Sequence, residues 1–282
     1  MRLKFIANPA AGSHQAGIIE RAAEYMRRQG AEVEVFLTEY AGHAGELAAD
    51  TAGFERLVVA GGDGTINEVI NGMMPEPRPV AVIPMGTANV LALECALPEE
   101  LAAQCALAVR GKPRLATLGR AGERYFLLMA GAGMDAAAVE GVNLSLKKIT
   151  GKGAYFYSAF KVWLRQPVRE ICCRLADGTI FHHLSQVVVC NSRLYGGPFC
   201  LAPAASIFSP RFEVVILPFM GRFSLLLCLL SLFKGQTRPP GRILTTAGLT
   251  VSGRGRLQLD GEAAGEAAVE IEACPALLPL IV

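Results

Sequence analysis

Residues 58–69 constrain this chain more than any other stretch. A short apolar run, Val58-Val59-Ala60, meets Gly61, Gly62, Asp63, Gly64 and Thr65, and then enters an apolar pattern of helical spacing through Ile66, Asn67, Glu68 and Val69. The pattern predicts a buried strand, a glycine turn and a helix N-terminus. Glycines let backbone approach a bulky anion, and the first N–H groups of the helix point at it with the favourable end of the helix dipole. The segment therefore predicts a phosphate cradle. Its spacing is neither that of the P-loop nor the G-x-G-x-x-G of dinucleotide-binding folds.

Two further turns have the same character. Asn8, Pro9, Ala10, Ala11 and Gly12 follow an apolar run over residues 3–7, and Pro84, Met85, Gly86, Thr87, Ala88 and Asn89 follow another over 80–83. In an open parallel sheet, ligands bind outside the carboxyl ends of the strands, so three glycine-bearing turns at three strand ends predict one shared pocket.

The rest of the N-terminal part supports such a sheet. Strands over 3–7, 33–37, 57–60 and 80–83 alternate with helical patterns over 18–29, 44–52, 66–73, 89–95 and 98–109. This alternation implies parallel strands covered by helices. After about residue 114 the texture changes to short strands, expected over 115–118, 125–130, 171–175, 179–181, 186–190, 213–217, 248–252, 257–260 and 269–273. Asp177-Gly178 is a hairpin signal between two of them. The expected organisation is an α/β nucleotide-binding domain over 1–114 and a mostly antiparallel β domain over 115–282. The extreme C-terminus is a candidate to pack back on the first domain. A cleft between two such domains is the natural place for catalysis.

Composition narrows the function class. The 282 residues carry a net charge of +2, so no broad field for a polyanion exists and a nucleic-acid partner is not expected. Hydrophobic residues make up 52%, which suits work at a membrane surface. Residues 1–5 run straight into a strand, which predicts no cleaved leader and a cytoplasmic location. The eight cysteines are scattered without a C-x-x-C and read as reduced thiols. His182-His183 reads as an exposed or edge-strand pair, because the sequence supplies no further ligands for a zinc site there.

These motifs together carry a resemblance. Asn8-Pro9 with Gly12, Gly61-Gly62-Asp63-Gly64-Thr65, and Pro84-x-Gly86-Thr87-x-Asn89 resemble the catalytic domain of diacylglycerol-kinase-like lipid kinases, a family that includes sphingosine and ceramide kinases and bacterial soluble lipid kinases. Residues 130–136, 146–157, 195–205 and the run Leu259-Asp260-Gly261-Glu262 resemble its later landmarks in order. The resemblance implies a three-layer nucleotide-binding domain followed by a β-sandwich domain that accepts the lipid. It further implies ATP and Mg2+ as cofactors, a role in phospholipid biosynthesis, and a peripheral position at the inner membrane face.

Phosphoryl transfer needs a phosphate cradle, a magnesium ion and an acceptor for the hydroxyl proton. Thr65, Asn67 and Glu68 stand at the expected helix start, where they can hold phosphate oxygens or cap the helix. By resemblance, Thr38 and Thr87 belong to the nucleotide pocket. A carboxylate facing a triphosphate needs a cation between them, which puts Mg2+ near Asp63, directly or through water. The alternative is that Asp63 only shapes the loop. Asp260 and Glu262 flank a glycine, and in an extended segment residues i and i+2 share a face, so both can reach one cleft. The bland alternative is a hairpin turn. By resemblance one of the two carboxylates is the general base, with Asp260 preferred.

One departure stands out. After Ala202-Pro203-Ala204-Ala205 the family usually carries an acidic D-G-x-x-D stretch that helps hold a structural magnesium. Here Ser209-Pro210 replaces the Asp-Gly, Arg211 enters the loop and Glu213 replaces the later Asp. A divalent cation finds few anionic oxygens there. Residues 223–233 are apolar on nearly every face and bracketed by Arg222 and Lys234. Eleven residues make a helix of roughly 16 Å, too short for a hydrocarbon core of about 30 Å. The alternatives are a buried core helix and a patch that docks on the bilayer, with Lys147, Lys148 and Lys152 near anionic lipid.

The expected activity is ATP-dependent transfer of the γ-phosphate to a hydroxyl of diacylglycerol or a related lipid. The rivals are an NAD-kinase-like soluble enzyme and a non-catalytic nucleotide- or lipid-binding regulator. The sequence leaves the acceptor lipid and any oligomer open.

Overall fold

A computed structural model describes residues 1–12, 17–133, 171–218 and 241–282. The chain forms two compact units, Met1–Thr117 with Pro275–Val282, and Leu118–Cys274. The apolar segment 223–233 with its flanking Arg222 and Lys234, the signature at 146–157 and residues 134–136 lie outside the described residues.

The first unit contains the parallel strands β1 (Arg2–Ala7), β2 (Glu32–Leu37), β3 (Arg56–Gly61) and β4 (Val80–Pro84), in the order β2-β1-β3-β4, and Leu280 near the C-terminus pairs in parallel with Val80 beyond β4. Apolar side chains on both faces explain why β3 and β4 read as continuously hydrophobic, whereas β2, at the end of the sheet, alternates with Glu32 and Glu34. Leu3, Phe5 and Ala7 of β1 and Val58 and Ala60 of β3 share a core with α1 (Ile18–Arg28) and α5 (Leu101–Arg110). On α1, Ile19, Ala22, Ala23 and Met26 form the buried stripe at helical spacing. By strand alternation Ile6, Leu57 and Val59 face the other way, where α2 (His43–Ala49) packs on β1 and α3 (Asp63–Gly72) on β3. The result is the three-layer parallel architecture expected. α2 and α3 cross where a Cβ on Gly72 would lie 2.0 Å from the Gly45 carbonyl oxygen, so only glycine fits that crossing. A fourth helix, α4 (Val90–Glu94), follows β4.

The second unit is antiparallel. Its strands are the end of β5 (Pro113–Ala121), β6 (Arg124–Phe126), β7 (Met129–Gly133), β8 (Ile171–Leu175), β9 (Ile180–Cys190), the short pair β10 (Leu194–Tyr195) and β11 (Phe199–Cys200), β12 (Phe212–Pro218), β13 (Arg242–Thr246), β14 (Gly248–Gly253), β15 (Arg256–Leu259), β16 (Glu262–Glu266) and the start of β17 (Val269–Ile281). Neighbours run β16-β15-β7-β9-β8-β14-β17, with β12 between β9 and β13. Alternate residues of these strands fill one core, including Phe126, Val189, Phe212, Val214, Val251 and Leu257, and the Phe126 and Phe212 rings stack at 5.8 Å.

Several boundaries differ from expectation, each for a local reason. α2 stops at Ala49 instead of 52, because the Asp50 carbonyl accepts from Lys4 Nζ at 2.6 Å and the Asp50 carboxylate captures the Ala52 N–H. α3 starts at Asp63 rather than 66, directly on the glycine turn. The strand expected over 125–130 is two strands, broken at Leu127 and Leu128, whose N–H groups go to Asp260 instead of a neighbouring strand. The two strands expected over 179–181 and 186–190 are one, β9, because Leu184 and Ser185 are buried in the ladder. The segment 260–262 is not extended throughout: Asp260 (φ 48°) and Gly261 (φ 84°) are the tip of the β15–β16 hairpin, and Glu262 opens β16.

Candidate active site

The sheet of the first unit changes direction between β1 and β3, since β2 lies on one side of β1 and β3 and β4 on the other. That switch point is where an open α/β sheet leaves room for a ligand beyond its strand ends. The three predicted turns meet there. Asn8 Nδ2 donates to Thr65 Oγ1 at 3.2 Å, while Asn8 Oδ1 accepts the Ala10 N–H at 2.9 Å and rounds off the first turn. Gly12 has φ +70°, and a Cβ on it would lie 1.9 Å from the Met85 carbonyl oxygen. A Cβ on Gly86 would lie 2.6 Å from the Gly62 Cα. The first, second and third turns are thus in backbone contact, which only glycine allows. Asn89 locks the third turn onto itself: its Oδ1 accepts the Gly86 N–H at 2.7 Å and its Nδ2 donates to the Gly86 carbonyl at 2.9 Å.

α3 begins at this junction with Gly62 as its N-cap, and no side chain caps it. The Asp63, Gly64 and Thr65 N–H groups are the opening donors of the helix, which is the arrangement that holds an anion. Asp63 does not cap its own helix. Its Oδ2 accepts from the Val90 N–H at 3.0 Å and its Oδ1 from the Leu91 N–H at 3.1 Å, so it caps α4 across 27 and 28 residues. The sequence offered Asp63 a metal or a loop turn, and carried no signal for this partner.

The remaining candidates divide. Thr38 is buried at the end of β2, its N–H donating to the Ala7 carbonyl, and Thr87 is exposed on the third turn. Gly61 touches the Thr65 side chain, where a Cβ would come within 2.6 Å. Pro9 and Ala11 are half-buried in the first turn. Ile66 and Asn67 face the interior, and Asn67 is only 3% exposed, its backbone and side-chain oxygens accepting from Asn71 Nδ2. Glu68 turns to α2, where its Oε2 accepts the Ala44 N–H at 3.3 Å. The described structure therefore groups Asn8, Gly12, Gly62, Asp63, Thr65, Gly86 and Asn89, and turns Ile66, Asn67 and Glu68 away from the helix start.

In the second unit the two carboxylates of the β15–β16 hairpin are in different situations. Both central residues of its turn have positive φ, the I′ geometry for which Asp-Gly is a favoured pair. Asp260 Oδ2 accepts from the Leu127 N–H at 2.7 Å, and its Oδ1 from the Leu128 and Met129 N–H groups at 2.8 and 2.9 Å. The Asp260 N–H in turn donates to the Met129 carbonyl, and Gln258 Oε1 accepts the Gly261 N–H. A carboxylate has about four lone-pair sites, so Asp260 is largely spent on backbone. Glu262 is the first residue of β16, with a side chain 41% exposed and its Oε2 3.4 Å from Arg124 Nη2.

Metal sites receive little support in the described residues, none of which form a group of three His, Cys, Asp or Glu. The 206–213 loop is tied by its own hydroxyls: Ser206 Oγ accepts the Phe208 N–H, Ser209 Oγ accepts the Arg211 N–H and donates to the Arg211 carbonyl, and Glu213 Oε1 accepts from Thr245 Oγ1 at 2.8 Å. These residues do not fit a structural magnesium. Near the phosphate cradle, Asp63 has already given each oxygen a backbone partner, so it fits a magnesium held through water better than a directly ligated one.

Comparison with known proteins places these features in a family. A family model described as "Diacylglycerol kinase catalytic domain" matches residues 2–121, and one described as "YegS C-terminal NAD kinase beta sandwich-like domain" matches residues 129–282. The chain belongs to the diacylglycerol kinase and YegS-like lipid kinase family. It is 30% identical over 273 residues to a Pseudomonas putida protein named "Probable lipid kinase YegS-like", covering 93% of this chain and 89% of that one. It is 29% identical over 279 residues to a Bacillus subtilis protein named "Diacylglycerol kinase", covering 94% and 90%. A crystal structure of a diacylglycerol kinase from Bacillus anthracis superposes with a TM-score of 0.78 at 18% identity, covering 99% of this chain and 96% of that one, which supports the fold. Neither the NAD-kinase-like reading nor the non-catalytic regulator is favoured by these matches. Among the described residues no helix is long and apolar enough to cross a membrane.

Proposed function

We propose that this chain transfers the γ-phosphoryl group of ATP to a hydroxyl of diacylglycerol or a related membrane lipid. The observation that carries the reading is the junction of Gly12, Gly62 and Gly86 beside the uncapped start of α3. Such a junction suits a triphosphate, since backbone donors can close on its oxygens without a side chain in the way. In this reading the Asp63, Gly64 and Thr65 N–H groups bind the phosphates, and the Asn8–Thr65 hydrogen bond sets the height of the first turn above them. Thr38 and Thr87 flank the nucleotide. Asp63 would hold a magnesium ion through water, and such an ion would supply charge neutralisation for phosphoryl transfer.

On the acceptor side Glu262 is the proposed general base, and Asp260 is the residue that holds the hairpin. The sequence preferred Asp260; its three backbone partners argue for the exchange of roles. The Glu262 side chain is 41% exposed beside Arg124, where a lipid hydroxyl can approach it. The base needs only moderate strength, because positioning and charge neutralisation dominate phosphoryl transfer. A peripheral position at the inner membrane face follows from a lipid acceptor and belongs to the same proposal.

The test is transfer of label from γ-labelled ATP with Mg2+ into diacylglycerol, phosphatidylglycerol, a sphingoid base and a polyprenol in mixed micelles. Label in one lipid, lost in Glu262→Gln, supports the proposal and names the acceptor. Nucleotide binding with no label in any lipid would overturn it. Gly86→Ala supplies an independent check on the cradle. Its Cβ would meet the Gly62 Cα, which is backbone and cannot swing aside. ATP affinity by calorimetry is expected to fall by roughly tenfold or more, the cost of displacing a preorganised turn.

A further inference from the structure

Two pairs singled out in the sequence, Cys172-Cys173 and His182-His183, lie on adjacent strands. β8 pairs with β9 so that Cys173 stands opposite Phe181, and the register shifts at this point so that Ile171 stands opposite Leu184. Two residues, His182 and His183, therefore face the single position of Cys172. That is a β-bulge, and His183 takes the positive φ of 54° that it requires. Without the extra residue one of two neighbouring histidines would point into the core. With it both are exposed, and Leu184 still enters the core at 3% exposure. The bulge leaves Cys172 Sγ 3.5 Å from His182 Nδ1, at hydrogen-bond distance for sulfur. Cys172 is half-buried and His182 exposed, so the pair is reachable from solvent.

Cys105, Cys173, Cys190 and Cys274 are in different surroundings. Cys105, Cys173 and Cys190 are buried, and burial pushes the Cys105 and Cys173 thiols up to about 11. Burial also raises the Cys274 thiol, with Glu272 adding to the shift. Among the described thiols whose partners are given, only Cys172 has an imidazole at its sulfur. A nucleophile and a base within hydrogen-bond reach are the two parts that activate a thiol.

We propose that Cys172 and His182 form a thiol-exchange site that accepts a low-molecular-weight disulfide such as oxidised glutathione. His182, carrying its own hydrogen on Nε2, takes the Cys172 proton at Nδ1. The thiolate attacks one sulfur of the disulfide. A Cys172–glutathione S–S bond forms as the glutathione S–S bond breaks, and the released glutathione thiolate takes the proton back from His182. One disulfide is exchanged for another, so no further oxidant is needed. Within the second unit β8 is separated from the Asp260 hairpin by β9 and β7, so the site is distinct from the proposed catalytic residues.

The experiment exposes the full chain to oxidised glutathione at neutral pH and follows the +glutathione mass at each cysteine by peptide mass spectrometry over time. Cys172 should be modified roughly tenfold faster than any of the seven other cysteines, and His182→Phe should slow Cys172 by about the same factor, a modest share of what a positioned base supplies. His182→Gln is run beside it to separate loss of the base from loss of the fold, with the melting temperature of each variant as the control. Equal rates at Cys172 and the other cysteines, or an unchanged Cys172 rate in both folded histidine variants, would overturn the proposal.

Discussion

Glu262→Gln is expected to lower the rate of lipid phosphorylation by at least about a hundredfold, the lower end of what a positioned general base contributes, with little change in the melting temperature. The substitution keeps the length and shape of the side chain at the start of β16. Its pairing with Leu259 across the hairpin uses backbone and is untouched. The ion pair with Arg124 that is lost is exposed, and exposed pairs contribute little to stability. What disappears is a carboxylate able to accept the hydroxyl proton. Nucleotide affinity, measured separately, should be unaltered, so the loss should fall on turnover rather than on ATP binding. A variant that retains most of its activity would remove Glu262 from the chemistry.

Asp260→Ala should act in the opposite order, on the fold first. The carboxylate holds the Leu127, Leu128 and Met129 N–H groups in the break between β6 and β7, and Leu127 and Leu128 are themselves 2% and 3% exposed. Removing it strands three backbone donors, two of them, at Leu127 and Leu128, outside any strand. Hydrogen bonds to a charged group are worth about 1.5–3 kcal/mol each and are not additive, so a combined cost of about 3–5 kcal/mol is expected. Alanine also fits poorly at φ 48°, where Asp is tolerated. For a chain of this size the melting temperature should fall by roughly 10 °C. Asp260→Asn should lie between, since an amide oxygen can keep part of the set. If Asp260→Asn melts like the parent yet transfers no phosphate, Asp260 rather than Glu262 is the base.

The contrast between these carboxylates shows where sequence reading succeeds and stops. Asp260-Gly261 is a hairpin signal because few residues accept positive φ twice in succession, and that rule is local. The partners of Asp260 lie 131–133 residues away, so nothing near it announces them. The consequence was a wrong strand as well: residues 125–130 are apolar enough to read as one, and only the distant carboxylate explains the break. The same holds in the first unit. Strands, glycine turns and helices alternate with a periodicity visible in the residues, and the turns at 8–12, 61–65 and 84–89 were legible because glycine and asparagine have narrow conformational reasons to be there. That Asp63 reaches the start of α4 was not legible. Asn67 and Glu68 read as a helix start because the apolar periodicity begins at Ile66; with Asp63 as the first residue of α3, both fall within the helix body. The sequence divides β9 at 182–185, where His182-His183 reads as an exposed or edge-strand pair, whereas a bulge absorbs the polar residues without ending the strand.

In the function proposed above, the cap that Asp63 places on α4 alters the charge that a nucleotide meets. An aspartate between two glycines would repel phosphates bound at that loop. Here each of its oxygens is already answered by an N–H of another helix, so its negative charge is drawn toward Val90 and Leu91. The opening amides of α3 therefore present their positive ends with their closest acid already engaged. The carboxylate serves as a tie rod between the second and third turns, so a single acidic side chain holds the mouth of the cradle in register before any ligand arrives.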